Sequence, residues 1–354
     1  MIHRALIVLI LALAGAAPAE AVVGGRDVGP GEYPWLASSP GCTGALIAPD
    51  RLLTAAHCVH GQLPSGQRWR LGSTVRGQGR PVRVVAVASH PAFDGNAPVS
   101  GDDVAVLRVD PAVTDVAPLR VAGPQDAALG QPGSPVRTVG WGATQTAGTP
   151  TRPAFAGPSA TPHEGDLATV SFADCDRWYR HAPADPTPIP GGVLCAGAPG
   201  TAPCVGDSGG PLLARDSGGA WVALGVFSFT QRCGADGDPG GWTDLLATRD
   251  FVTGAAPTWA PVPRGRPHIT GRARVGGILR CVPPRWTGPT QAVRYRWAVR
   301  GRMPLTTPAA RSPEHRVTRA EAGKPLTCAV AASNAGGFAV AQLSPPVRVA
   351  GRTA

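Results

Sequence analysis

Apolar and polar positions along this chain show no long stretch with a 3.6-residue period. The exception is Thr243–Thr253 (TDLLATRDFVT), where the spacing predicts one modest helix ending near Gly254. Backbone breakers dominate, with 47 glycines and 39 prolines among 354 residues and an aromatic content of 5%. Such a chain favours short strands joined by turns, and its length suffices for two domains.

One segment has a different pattern. Arg4 precedes the apolar run Ala5–Ala16, and Ala19-Glu20-Ala21 supplies small residues around a cut site. Residues 1–21 therefore read as a secretory signal, too short to make a good membrane span. No other apolar run is long enough to cross a bilayer, so the expected product is soluble and extracellular. Export fits the eight cysteines: Cys42, Cys58, Cys175, Cys195, Cys204, Cys233, Cys281 and Cys328. Four sequential disulfides are the expected connectivity, which spacing alone does not prove. No C-x-x-C-like cluster and no carboxylate cluster suited to calcium occurs, so neither metal nor cofactor is expected.

Charge then divides the chain. Beyond residue 260 there are 15 arginines and Lys324 against Glu314 and Glu321, a net +14, whereas the whole chain carries +10. The Pro-rich stretch 255–266 reads as a linker between residues 22–254 and a basic module at 267–350.

Candidate chemistry centres on Ala202–Pro211 (APCVGDSGGP). Its G-x-S-x-G core fits a nucleophile elbow, but that reading needs an acid and a histidine after the serine. The histidines downstream of Ser208 are His268 and His315, both in the basic module. The order His, Asp, Ser is supplied upstream: Ala55-Ala56-His57-Cys58, then Asp103-Val104-Ala105-Val106, then Gly206–Pro211. With Val22-Val23-Gly24-Gly25, Gly140-Trp141-Gly142 and Ser228-Phe229, these motifs make residues 22–254 resemble a trypsin/chymotrypsin-type secreted serine protease.

The resemblance implies an all-β fold: two antiparallel barrels, roughly Val22–Gly123 and Pro124–Trp242, closed by a short C-terminal helix. It implies His57 as general base, Asp103 rather than its neighbour Asp102 as the orienting acid, and Ser208 as nucleophile. The N–H groups of Gly206 and Ser208 would form the oxyanion hole, with Ser228 supporting the aspartate. A freed Val22 amine would pair with Asp207 to order the site. His60, His90, His163 and His181 lack matching context and are expected at surface or loop positions.

For the primary specificity pocket the same resemblance points to Ala202 at the floor and Thr230 and Gly240 on the walls. An apolar floor leaves a buried substrate cation without a partner, so small or medium apolar residues are the expected preference. Asp236 or Asp238 entering the pocket would restore a preference for basic residues. Peptide and ester hydrolysis share the acyl-enzyme route, so an esterase is an open alternative. A non-catalytic binding protein on a protease scaffold is another.

In the tail, Cys281…Trp297…Cys328 has the spacing of an immunoglobulin-like sandwich and resembles modules appended to bacterial secreted proteins, with Leu326 where a corner tyrosine would stand. Its charge suits either a spacer or non-specific contact with polyanions or cell surfaces. No helix-turn-helix, RRM or stacking platform is evident, so sequence-specific nucleic-acid binding is not expected.

Overall fold

A computed structural model describes residues 22–93, 95, 101–144, 157–182, 186–231, 233, 238–254, 258–299 and 311–351, with the backbone of 146–149 and 152–155. The expected signal segment 1–21 and Asp236 lie outside the described residues.

The fold is all-β and chymotrypsin-like. One antiparallel sheet of seven strands runs in the order Arg80–Val82, Trp69–Leu71, Leu36–Ser38, Thr43–Ala48, Arg51–Thr54, Ala105–Val109 and Val84–Ser89. It curls around Leu46, Leu52, Leu53, Trp69 and Leu107, all almost inaccessible to water. In a second sheet, six strands close into a barrel: His163–Val170, Pro135–Gly140, Pro211–Arg215, Trp221–Phe229, Gly240–Asp244 and Val193–Gly197, which returns to His163–Val170. Closure leaves that barrel without a free edge.

The division between the two sheets departs from the expected one. Both ends of the segment assigned to the first barrel join the second sheet: Arg26–Asp27 pairs with His163–Glu164, and Arg120–Val121 runs parallel to Val222–Ala223. The C-terminal helix is also shorter, Arg249–Thr253. Thr243 and Asp244 belong instead to a strand flanked on both sides, with Thr243 opposite Val193 and Val226. Two ladders of backbone hydrogen bonds there outweigh a local helical pattern. Val252 of the short helix is buried in the core of the first sheet.

A helix not foreseen spans Phe172–Arg180. The Ser171 hydroxyl accepts the Asp174 N–H at 3.1 Å, capping its start. Asp174 in the first turn and Arg177 and Arg180 in the last complement the helix dipole. Cys175 and Tyr179, one turn apart, form its buried face.

Beyond residue 260 three further sheets appear among the described residues, two of them larger. His268–Gly271, Ile278–Val282 and Glu314–Arg316 form one; Ala292–Val299, Pro325–Asn334, Gly337–Val340 and Val347–Arg348 form the other. Trp297 stands opposite Cys328 and is fully buried with Leu279, Leu326 and Val330. The stretch read as a linker carries a strand, Val262–Arg264, paired with Arg285–Thr287. The eight cysteines pair sequentially, as Cys42–Cys58, Cys175–Cys195, Cys204–Cys233 and Cys281–Cys328. The last joins the two larger sheets of the module. Among the described residues no helix is long and apolar enough to cross a membrane.

Candidate active site

His57 sits on a single 3₁₀ turn, Ala56–Cys58, directly after the strand Arg51–Thr54. Asp103 precedes the neighbouring strand Ala105–Val109 and is completely buried. A buried carboxylate must be saturated with donors, and this one is. Its Oδ1 accepts the His57 backbone N–H at 2.8 Å, and its Oδ2 lies 2.6 Å from His57 Nδ1. Oδ2 also accepts the Ser228 hydroxyl at 2.5 Å. The Thr243 hydroxyl donates to the Asp103 carbonyl at 3.1 Å.

The neighbouring Asp102 has a different environment. It is 38% exposed and lies 3.2 Å from His90 Nδ1, so it contacts a different histidine from Asp103. Burial holds the His90 pKa below its ordinary value, opposed by the Asp102 charge.

Ser208 is half-buried in the loop before Pro211–Arg215. Thr43 fastens this loop from the other sheet: its N–H donates to the Ser208 carbonyl at 2.8 Å and its hydroxyl to the Gly206 carbonyl at 3.0 Å. Gly206 has φ 104°, and a Cβ there would press against Gly142 and the Trp141 carbonyl. The N–H groups of Gly206 and Ser208 donate to no group among the described residues.

Asp207 is wholly buried between these two. Its carboxylate accepts the Gly142 N–H at 2.7 Å and the Cys204 N–H at 2.8 Å. Side chains at Gly140 or Gly142 would collide with it. Burial pushes its carboxyl up to about 7, against the opposing pull of the two N–H donors. Val22 is also fully buried, with its side chain close to Gly165 and a left-handed backbone, φ 51°. Val23 exchanges hydrogen bonds of 3.0 and 3.1 Å with Ala202.

Ala202 is therefore both buried and pinned. A Cβ at Gly240 would come within 2.9 Å of the Trp242 ring and 3.1 Å of Pro203, so glycine permits close approach there. Thr230 is half-buried at the end of Trp221–Phe229. Asp238 is buried near Tyr179, whose hydroxyl donates to the Pro239 carbonyl at 2.8 Å. Burial, and secondarily the Asp238 charge, raise the Tyr179 pKa. Cys42, His57 and Cys58 lie close together, but both sulfurs are committed to the disulfide and offer no thiolate to a metal.

One expectation about the histidines needs correction. His163 is buried on a strand, 3.0 Å from Asp27, which strand pairing sets opposite it. His60 lies in a turn, as expected, with its ring edge-on to Phe93 and Phe338. Thr43 and Thr243 were not singled out from sequence; adjacency to Cys42 is the one signal for Thr43.

The sequence is similar to those of known proteins. The chain is 30% identical over 271 residues, 66% of its length, to a CLIP domain-containing serine protease B10 of Anopheles gambiae, of which the match covers 69%. It is 33% identical over 135 residues, 36% of its length, to a trypsin of Saccharopolyspora erythraea, of which the match covers 58%. The sequence model of the family described as Trypsin matches residues 22–252. The chain belongs to the trypsin family of serine proteases, hydrolases that act on polypeptides.

Proposed function

We propose that the chain is a secreted serine endopeptidase, with residues 1–21 as its export signal and 267–350 as an immunoglobulin-like module of bacterial type. The observation that carries the proposal is the buried Asp103 carboxylate, bonded at once to His57 and Ser228. In this reading His57 takes the proton from Ser208 as its oxygen attacks the scissile carbonyl. Asp103 keeps the imidazole proton on Nδ1, leaving Nε2 as the acceptor. The N–H groups of Gly206 and Ser208 stabilise the oxyanion, and His57 then protonates the leaving amine. The non-catalytic alternative is not favoured, given membership of the trypsin family.

The pocket of Ala202, Thr230 and Gly240 is read as apolar and shallow. On a mixed peptide library the expected cuts follow Ala, Val or Leu. Serine-dependent cuts after Arg or Lys would refute this pocket and point to Asp236 or Asp238. An organophosphonate probe is expected to label Ser208 alone, and labelling elsewhere would sink the mechanism. Contact of the basic module with polyanions has no support beyond its charge and is not part of the proposal.

Val22 and Asp207 are proposed as the activating pair, the amine of Val22 being freed by cleavage after Ala21. In the uncleaved chain Asp207 is buried without that cation, with a pKa near 7 in the fold against about 4 unfolded. Between these values the folded state binds the extra proton. The contribution of Asp207 to stability is thus fullest below pH 4, falls between pH 4 and 7 by about 4 kcal/mol at most, and is flat above. A chain beginning at Val22 pairs the charged form and loses this decline. Unfolding by urea at pH 4, 5.5 and 7, both forms carrying Ser208→Ala, checks it; parallel profiles would rule out the pairing.

A further inference from the structure

We propose that the hairpin Pro325–Val340 of the C-terminal module is a positioning element for His57, so that catalysis depends on the tail as well as on the two sheets. The inference rests on the protease reading above. His57 stands on one 3₁₀ turn, and a three-residue turn has little stability of its own. Asp103 and the Cys42–Cys58 disulfide hold it on one side.

Its other side runs straight into the module. The N–H groups of Val59 and His60 donate to the Ala56 carbonyl at 3.0 and 2.7 Å, coupling His60 rigidly to the turn. The His60 ring lies edge-to-face with Phe93 and with Phe338, centroids 5.0 and 4.2 Å away. Gly61, at φ 74°, forms a bridge to Ala339, and a Cβ there would come within 2.7 Å of the Phe338 ring. The aromatic ring therefore rests on bare backbone four residues after His57.

The same hairpin reaches the Asp103 side. The Ser89 N–H donates to the Gly336 carbonyl at 3.0 Å, at the end of Val84–Ser89. That strand pairs with Ala105–Val109, which follows Asp103. Residues 258–260 brace the contact: the Ala260 N–H donates to the Val87 carbonyl at 2.8 Å, and the Asn334 amide donates to the Trp259 carbonyl at 2.9 Å. The Arg108 guanidinium lies 5.4 Å from the Trp259 ring centroid. One hairpin thus touches both segments that bring His57 and Asp103 together. Small displacements of a general base cost rate steeply, whereas substrate affinity depends on groups elsewhere.

The test uses Phe338→Ala in the full chain. Expected is a fall in kcat of about tenfold per probe-labelled site, with KM unchanged. Faster hydrogen–deuterium exchange is expected at Val59 and His60, a readout independent of hydrolysis. Phe338→Leu, which keeps most of the apolar volume, gives a smaller change in the same direction and replaces the alanine variant should that fail to fold. Unchanged kcat per labelled site, or unchanged exchange at Val59 and His60, would overturn the proposal. A wild-type chain inert on the peptide library would instead condemn the protease reading, while the exchange comparison still decides whether the hairpin holds the turn.

Discussion

Replacing Ser208 with alanine is expected to lower kcat by about 10⁶, measured on the best peptide from the library. The variant keeps everything else on the nucleophile loop. Its carbonyl still accepts from Thr43, Asp207 keeps its two backbone donors, and the N–H groups of residues 206 and 208, the proposed oxyanion donors, are backbone and remain. What disappears is one hydroxyl. KM should therefore change little, and a residual rate of about 10³–10⁴ over the uncatalysed reaction should survive from the oxyanion donors and substrate binding. Activity close to wild type would mean that the nucleophile lies elsewhere.

The next largest effect is expected from Asp103→Asn, a loss in kcat of about 10⁴ by analogy with other Ser-His-Asp triads. The shape is preserved, but an amide offers one acceptor oxygen where the carboxylate offers two. Asp103 Oδ2 receives both His57 Nδ1 and the Ser228 hydroxyl. With an NH₂ group facing Nδ1, the imidazole must place its proton on Nε2. There it can no longer accept from Ser208. Asp102→Asn is the matched control: that carboxylate pairs with His90, and its loss should alter kcat by less than a factor of three. Comparable losses from both variants would contradict the assignment of Asp103.

The family and the chymotrypsin-like fold were legible because several short motifs stand in a characteristic order. The order His57, Asp103, Ser208 and the glycines around Ser208 carry the resemblance to the trypsin family. Features created by distant partners were not legible. Thr243–Asp244 has a helical pattern, yet strands on either side capture it. The Phe172–Arg180 helix is short, and its Ser171–Asp174 cap was its clearest local sign. His163 looks like any polar residue until Asp27, brought alongside by strand pairing, meets its ring. Nothing near His60 announces Phe338, since the contact exists only after the tail folds back onto the first sheet.

The Asp103 carboxylate is completed from two sheets, His57 contributing from one and Ser228 from the other. Thr43 likewise reaches across to hold the Ser208 loop. Neither sheet by itself supplies all the partners of the Asp103 carboxylate. A chain with one sheet formed and the other still collapsing carries exposed, cleavable segments but no competent protease beside them. On the proposed reading, a chain cannot cleave its own unfolded segments before both sheets have closed on Asp103.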